Sequence, residues 1–278
     1  DDWKSTRRTA ANYLRDIDVF IEKFLPWRIQ AGLDPQLIIE ARAAQDDLAT
    51  RIAEQIARRM ITGVMVTNAN SWRAAAARSL HGRAIYAALK TEMRSPLGMR
   101  VNELVQANAT RILSLPSDLA LRASRYIATE QRKGTRAAAI AATLQRRMPE
   151  LAQSRARMIA RTGVGAAETA LTRARAERLG LDWYDWETSE DARVRPSHRL
   201  MDKVLVRWTD PPSPELLAGE GNPFGHYAPG TVPYCRCIAL PLIDLNEVRW
   251  PKKVYSHGQI EYVSRSQFEK WIRVPSAA

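Results

Sequence analysis

At Gly180 the chain changes character, and that change limits the fold more than any other feature. Before it, apolar residues recur at intervals of three and four; after it, short runs of Trp, Tyr, Val and Pro alternate between turn residues. The first spacing marks helix faces and the second marks strands. The pattern predicts a mainly α protein with a small α+β C-terminal domain: a helical N-terminal array, then a long helix packed on a small, mostly antiparallel sheet.

Tyr13, Ile17, Phe20, Ile21 and Phe24 line one face of a helix over 9–25, which Pro26 ends. Asp34-Pro35 can cap and open a second, whose face runs through Leu37, Ala41, Ala44, Leu48, Ile52, Ile56 and Met60. Helical character continues past Gly63, with Trp72, Ala76 and Leu80, to Met93. Ser95-Pro96-Leu97-Gly98 then breaks it. Shorter helices follow over 100–113, 117–132 and 135–147, and Ser154 caps a long one that reaches Arg178.

Strands are expected over 182–187, 203–208 and 236–243, the last two paired, with a Pro-rich loop between them over 210–233. Trp183 is expected in the core, with Tyr184 and Trp186 on opposite sides. The tail over 254–273 reads as a hairpin and a short helix, with Phe268 and Trp271 packing back. The expected organisation is a helical docking region over 1–94, a domain over 95–250 and a tail over 251–278.

The net charge of +12 is uneven. Residues 1–54 carry 8 Lys/Arg against 10 Asp/Glu, 55–149 carry 16 against 4, and 150–278 carry 18 against 16, so the balances are −2, +12 and +2. A basic helical middle suits phosphates or an acidic protein ring, and it also suits solvated Arg-rich helix faces. The candidates for such contact are Arg58, Arg59, Arg73, Arg78, Arg83, Arg132, Lys133, Arg136, Arg146 and Arg147. No uninterrupted apolar stretch is long enough to span a membrane, and the first residues do not read as a signal peptide. Two cysteines one residue apart are poor disulfide partners, which favours a reducing compartment.

The chemistry-bearing residues are concentrated in Trp186-Glu-Thr-Ser-Glu-Asp191-Ala-Arg193-Val-Arg195-Pro-Ser-His198 and in Cys235-Arg236-Cys237. In extended chain Asp191, Arg193 and Arg195 share one face, where a carboxylate can pair with flanking guanidiniums. Pro196 then permits a turn or helix start, with Ser197 able to cap it. These residues, with Ile159 to Thr162, Thr188, Ser189, Met201 and Asp202, resemble the C-terminal domain of the phage Mu F-like minor head proteins, the phage head morphogenesis family. The resemblance covers 95–245. Three positions depart from its pattern: Gly163 stands where an acid is usual, Lys203 where a turn glycine is usual, and Val232-Pro233-Tyr234 before the first Cys. A turn requiring positive φ costs a non-glycine residue about 1 kcal/mol, so a turn of another type is expected at Lys203. Gly163 and Gly165 predict a kinked or very closely packed helix.

The resemblance implies a minor head protein of a tailed phage or prophage rather than an enzyme. It implies portal protein and major capsid protein as partners, packaged double-stranded DNA nearby, and a place in the virion head near the portal vertex after assembly in the host cytoplasm. The residues themselves leave alternatives open. Cys235 and Cys237 with His198 and His226 would make a tetrahedral zinc site; otherwise no cofactor is expected and the thiols pack a small core. His198 with Asp191 as its orienting acid would be a catalytic base; otherwise Asp191 and the arginines form an ion-pair lattice tying sheet to helix.

Overall fold

The computed structural model describes residues 2–24, 46–79, 82–92 and 97–273. The expected helix start at Asp34-Pro35, with Leu37, Ala41 and Ala44, falls outside them, as do Leu80 and His81. Helices α1 (Asp2–Phe24), α2 (Asp46–Arg78), α3 (Gly82–Thr91), α4 (Leu97–Arg132) and α5 (Ala137–Arg178) come first. Then follow β1 (Trp183–Glu187), α6 (Pro196–Leu200), β2 (Val204–Arg207), α7 (Pro214–Leu217) and β3 (Ile238–Pro241). Strands β4 (Lys252–Ser256) and β5 (Gln259–Val263) and helix α8 (Arg265–Arg273) complete the described chain. The expected mainly α protein with a small α+β C-terminal part is what forms. No helix among the described residues is long and apolar enough to cross a membrane.

The elements form two compact units that interleave in sequence. One comprises Lys4–Val64 and Val101–Val164 and is helical throughout; the other comprises Asp1–Trp3, Met65–Arg100 and Gly165–Ala278 and holds the sheet.

In the helical unit all five apolar residues expected on α1 are buried. On α2 the buried face is Ala49, Ala53, Ile56, Ala57 and Met60, so Ile56 and Met60 lie where expected while Leu48 is exposed. The buried face is shifted by one residue at its start, with Ala49 and Ala53 buried where Leu48 and Ile52 were expected, and Ile61 and Val64 extend it. Of the breaks expected among the helices over 100–147, the one between 132 and 135 forms, at Gly134 with φ +77, whereas those between 113 and 117 and before the cap at Ser154 do not. Helix α4 runs through Pro116 and α5 through Pro149. An interior proline costs about 3 kcal/mol, but the apolar stripe stays in phase across each one. Leu115 and Leu119 are buried on either side of Pro116, and Met148 and Ala152 on either side of Pro149, so breaking either helix would expose a continuous face.

Gly163 lies in mid-helix and is closely packed, as its position predicts. A Cβ there would stand 2.4 Å from Asn108 Oδ1 and 3.1 Å from Tyr13 Cε1. Asn108 is fully buried, donates Nδ2–H to Leu104 O at 2.8 Å, and accepts from the buried Tyr13 hydroxyl at 3.5 Å. The acid usual at this position would collide with that pair. Gly163→Ala should therefore destabilise by about 1–3 kcal/mol through overpacking, although alanine is favoured by about 1 kcal/mol in a free helix. Urea denaturation checks this, and adding Asn108→Ala should reduce the Gly163→Ala increment; a stabilised single variant would overturn the packing account.

In the other unit the sheet order is β3-β1-β2-β4-β5. Three pairings are antiparallel and β2–β4 is parallel. The expected pairing of 203–208 with 236–243 is wrong: β1 lies between them, with Trp186 opposite Val204 on one side and Ala239 on the other. The tail forms the expected hairpin and helix. Phe268 is fully buried against Trp183, whereas Trp271 is 39% exposed.

The same unit contains a buried polar network. Arg175, 4% exposed, donates to Glu92 at 2.9 and 3.0 Å and to Asn68 Oδ1; Asn68 Nδ2 donates to Thr172 Oγ1 at 2.8 Å. Arg175 and Glu92 are 83 residues apart in sequence, a pairing that spacing cannot reveal.

Candidate functional site

Strand β1 sets the floor of the site. Side chains alternate across a strand, so Tyr184 and Trp186 share one face, both fully buried, and Trp183 lies on the other against Phe268 and Trp250. The expectation that Trp183 faces the core alone, with Tyr184 and Trp186 on opposite sides, misplaced the pair.

Residues 188–195 form turns rather than the expected extended strand. Asp191 Oδ1 accepts the Arg193 amide at 2.9 Å and Asp191 O accepts the Val194 amide at 3.1 Å. An aspartate accepting its own chain two residues on competes with a strand ladder. Thr188 donates both amide and hydroxyl to Asp202 Oδ1, at 2.9 and 2.7 Å, which accounts for two more motif residues. Helix α6 then starts at Pro196 with Arg195 as N-cap and no side-chain cap. Ser197 is not the cap; its hydroxyl reaches Glu215 at 3.4 Å.

The ion-pair lattice exists but ties different parts together from those expected. Asp191 takes two hydrogen bonds from Arg236 and lies 3.6 Å from the Arg193 guanidinium. The Arg236 hydrogen bonds, more than any other influence, hold its carboxyl well below the usual carboxylate range. Arg195 donates to Pro233 O at 2.6 Å and covers the Phe224 ring at 5.4 Å. The motif thus fastens the 188–195 turns to the end of the Pro-rich loop. The attachment to α5 lies elsewhere: Thr169 donates to Pro229 O at 2.6 Å, and Gly165 meets Gly230 backbone to backbone. A Cβ at Gly165 would stand 2.8 Å from Gly230 O, so no other residue fits without moving the loop.

The expected change of turn type at Lys203 does not occur: Lys203 takes φ +59, the left-handed conformation that glycine usually occupies there. Its amide donates to Trp186 O at 2.8 Å, and its ammonium bonds Glu187 and lies 3.4 Å from Glu190. Those contacts accompany the about 1 kcal/mol backbone cost.

His198, Cys235 and Cys237 converge, all buried. His198 Nδ1 is 3.5 Å from Cys235 Sγ and 3.4 Å from Cys237 Sγ. On its other side Nε2 is 2.8 Å from the Tyr227 hydroxyl, which is 2.8 Å from both Glu215 oxygens. Trp186 packs edge-on to the imidazole, with ring centres 5.8 Å apart. Gly230 donates its amide to Cys235 Sγ at 3.3 Å. Hydrogen bonding with Cys237, then the neighbouring His198, draws the Cys235 thiol well below its ordinary range, while hydrogen bonding with Cys235 and burial push Cys237 up. Burial and Glu215 push Tyr227 up.

Two expectations fail here. Asp191 does not orient His198, because its oxygens hold Arg236 and the Arg193 amide; the groups facing His198 Nε2 are Tyr227 and Glu215. His226 is exposed, its Nδ1 2.9 Å from Pro211 O, and it lies outside the His198–Cys235–Cys237 group. Glu215 and Tyr227 were missed. A buried tyrosine in a Pro- and Gly-rich loop is a signal only once the loop is known to fold back over the sheet.

The ten basic candidates are all exposed, as either of their two readings requires. Arg73, Arg78 and Arg83 belong to the unit with the sheet and the other seven to the helical unit. Lys133 pairs with Glu130 at 2.8 Å, and Arg59 lies 3.7 Å from Asp16.

Residues 126–240 match the family described as Phage Mu protein F like protein, and the resemblance read from the motif holds over that segment. A Haemophilus influenzae protein described as uncharacterized is 30% identical over 148 residues. The match takes in 53% of this chain and 30% of that protein's length. No solved structure matches.

Proposed function

We propose, from the Phage Mu F-like character of residues 126–240, that this chain is a minor head protein of a tailed phage or prophage. It acts in head morphogenesis as a scaffold-like component beside the portal, not as an enzyme. The observation that carries the reading is that the motif residues are used for building. Asp191, Arg195, Arg236, Thr188 and Asp202 hold loops together through their side chains. Portal protein and major capsid protein are the partners this reading requires.

The test is proteomics and cryo-electron microscopy of purified heads carrying the full chain. The chain should be present in few copies per particle beside many of the major capsid protein, with its density against the portal. Its absence from purified heads would overturn the reading.

Contact with packaged DNA is the second part of the proposal; the +12 balance of residues 55–149 motivates it, and the exposure of all ten basic candidates is compatible with it. If about half of them meet phosphates, log affinity for duplex DNA should fall with log salt at a slope of about −4.5, a loss of several hundredfold between about 50 and 200 mM. Fluorescence anisotropy at the two salt concentrations measures it. No binding at the lower salt would leave those residues as a solvated face.

A further inference from the structure

We propose that His198, Cys235 and Cys237 form a metal centre of the zinc class, with Nδ1 and the two sulfurs as ligands. Zinc bonds of about 2.3 Å to sulfur and 2.0–2.1 Å to nitrogen, at tetrahedral angles, place sulfur and nitrogen about 3.5 Å apart. The two separations here are 3.5 and 3.4 Å, and the three ligand atoms lie within 4.8 Å of one another.

The second argument is the direction of the imidazole proton. A carboxylate can only accept, so the Tyr227 hydroxyl donates to Glu215 and must accept from His198. That puts the proton on Nε2 and leaves the Nδ1 lone pair facing both sulfurs. Metal-bound histidines are commonly oriented by such a partner on the far nitrogen. With a divalent ion, two thiolates and a neutral imidazole give a site of zero net charge, which suits groups this deeply buried.

The surroundings supply the remaining support. The Gly230 amide donates to Cys235 Sγ, a hydrogen bond that a thiolate accepts better than a thiol does. No fourth His, Cys, Asp or Glu joins the group among the described residues. The centre would anchor the Pro-rich loop to α6 at the point where Tyr227 and Gly230 turn inward. This inference does not depend on the assembly role.

The full-length chain purified without chelator should carry about one equivalent of zinc by elemental analysis. Exchange into cobalt(II) should give the visible bands of a tetrahedral site and near-ultraviolet thiolate-to-cobalt bands. Cys235→Ser or Cys237→Ser should each remove about half of the thiolate bands, and Tyr227→Phe should weaken metal affinity about 10- to 100-fold while keeping the bands. A chain that folds without metal and gives no cobalt bands would overturn the proposal, leaving thiol–imidazole hydrogen bonds in a dry core. So would thiolate bands that survive replacement of both cysteines. If the serine variants fail to fold, the Tyr227→Phe affinity and the metal content of the parent still decide.

Discussion

Arg175→Met should lower stability by about 3–5 kcal/mol, because it removes the guanidinium from a carboxylate that stays buried. Arg175 is 4% exposed and Glu92 14%, so water can replace only part of what is lost. Both guanidinium hydrogen bonds to Glu92 disappear, and so does the one to Asn68. Methionine roughly keeps the side-chain volume, which limits the cavity and isolates the electrostatic part. Chemical denaturation measures the change. Glu92→Met in the same chain should recover most of the loss, since a buried ion pair replaced by apolar residues is often neutral or better. A loss below about 1 kcal/mol in the single variant would mean that Glu92 re-pairs or reaches solvent.

Trp186→Ala should cost a similar amount, about 3–5 kcal/mol, by emptying the largest fully buried side chain. Trp186 is the floor on which His198 and Tyr227 rest, with ring centres 5.8 and 6.0 Å away. The cavity should therefore also expose the cysteines, and a thiol reagent should modify Cys235 and Cys237 faster than in the parent. Trp186→Phe should show both effects more weakly. If stability falls while thiol reactivity stays unchanged, Trp186 is a general core residue and not a cover for the site.

What could be read from the chain followed the range of the interactions. The strands over 182–187, 203–208 and 236–243 were legible because alternation is local; the nearness of His198 to the cysteines was expected from a direct pairing of the last two, and it holds although β1 stands between them. The order of the strands was not legible. Trp186 pairing with both Val204 and Ala239 depends on which hydrophobic face closes over which, a choice made among distant segments. Prolines misled for the same reason: Pro116 and Pro149 break helices by local rule, and buried stripes on both sides override it. Glu215 with Tyr227, like Glu92 with Arg175, left no sequence signal because nothing in the spacing of polar residues announces a partner across the fold.

The interleaving of the two units bears on the order in which the chain can fold during synthesis. The helical unit needs residues as far apart as Lys4 and Val164, and the other needs Met65 together with segments that run past Phe268. Neither can close when the first 94 residues leave the ribosome, so the apolar faces of α1 and α2 wait exposed until α4 and α5 arrive. Long-range closure of this kind is slow and open to aggregation. A nascent chain stalled near residue 94 should thus be protease-sensitive and chaperone-bound; the helical core can close once Val164 has emerged, and the other only after the segments past Gly165 have followed.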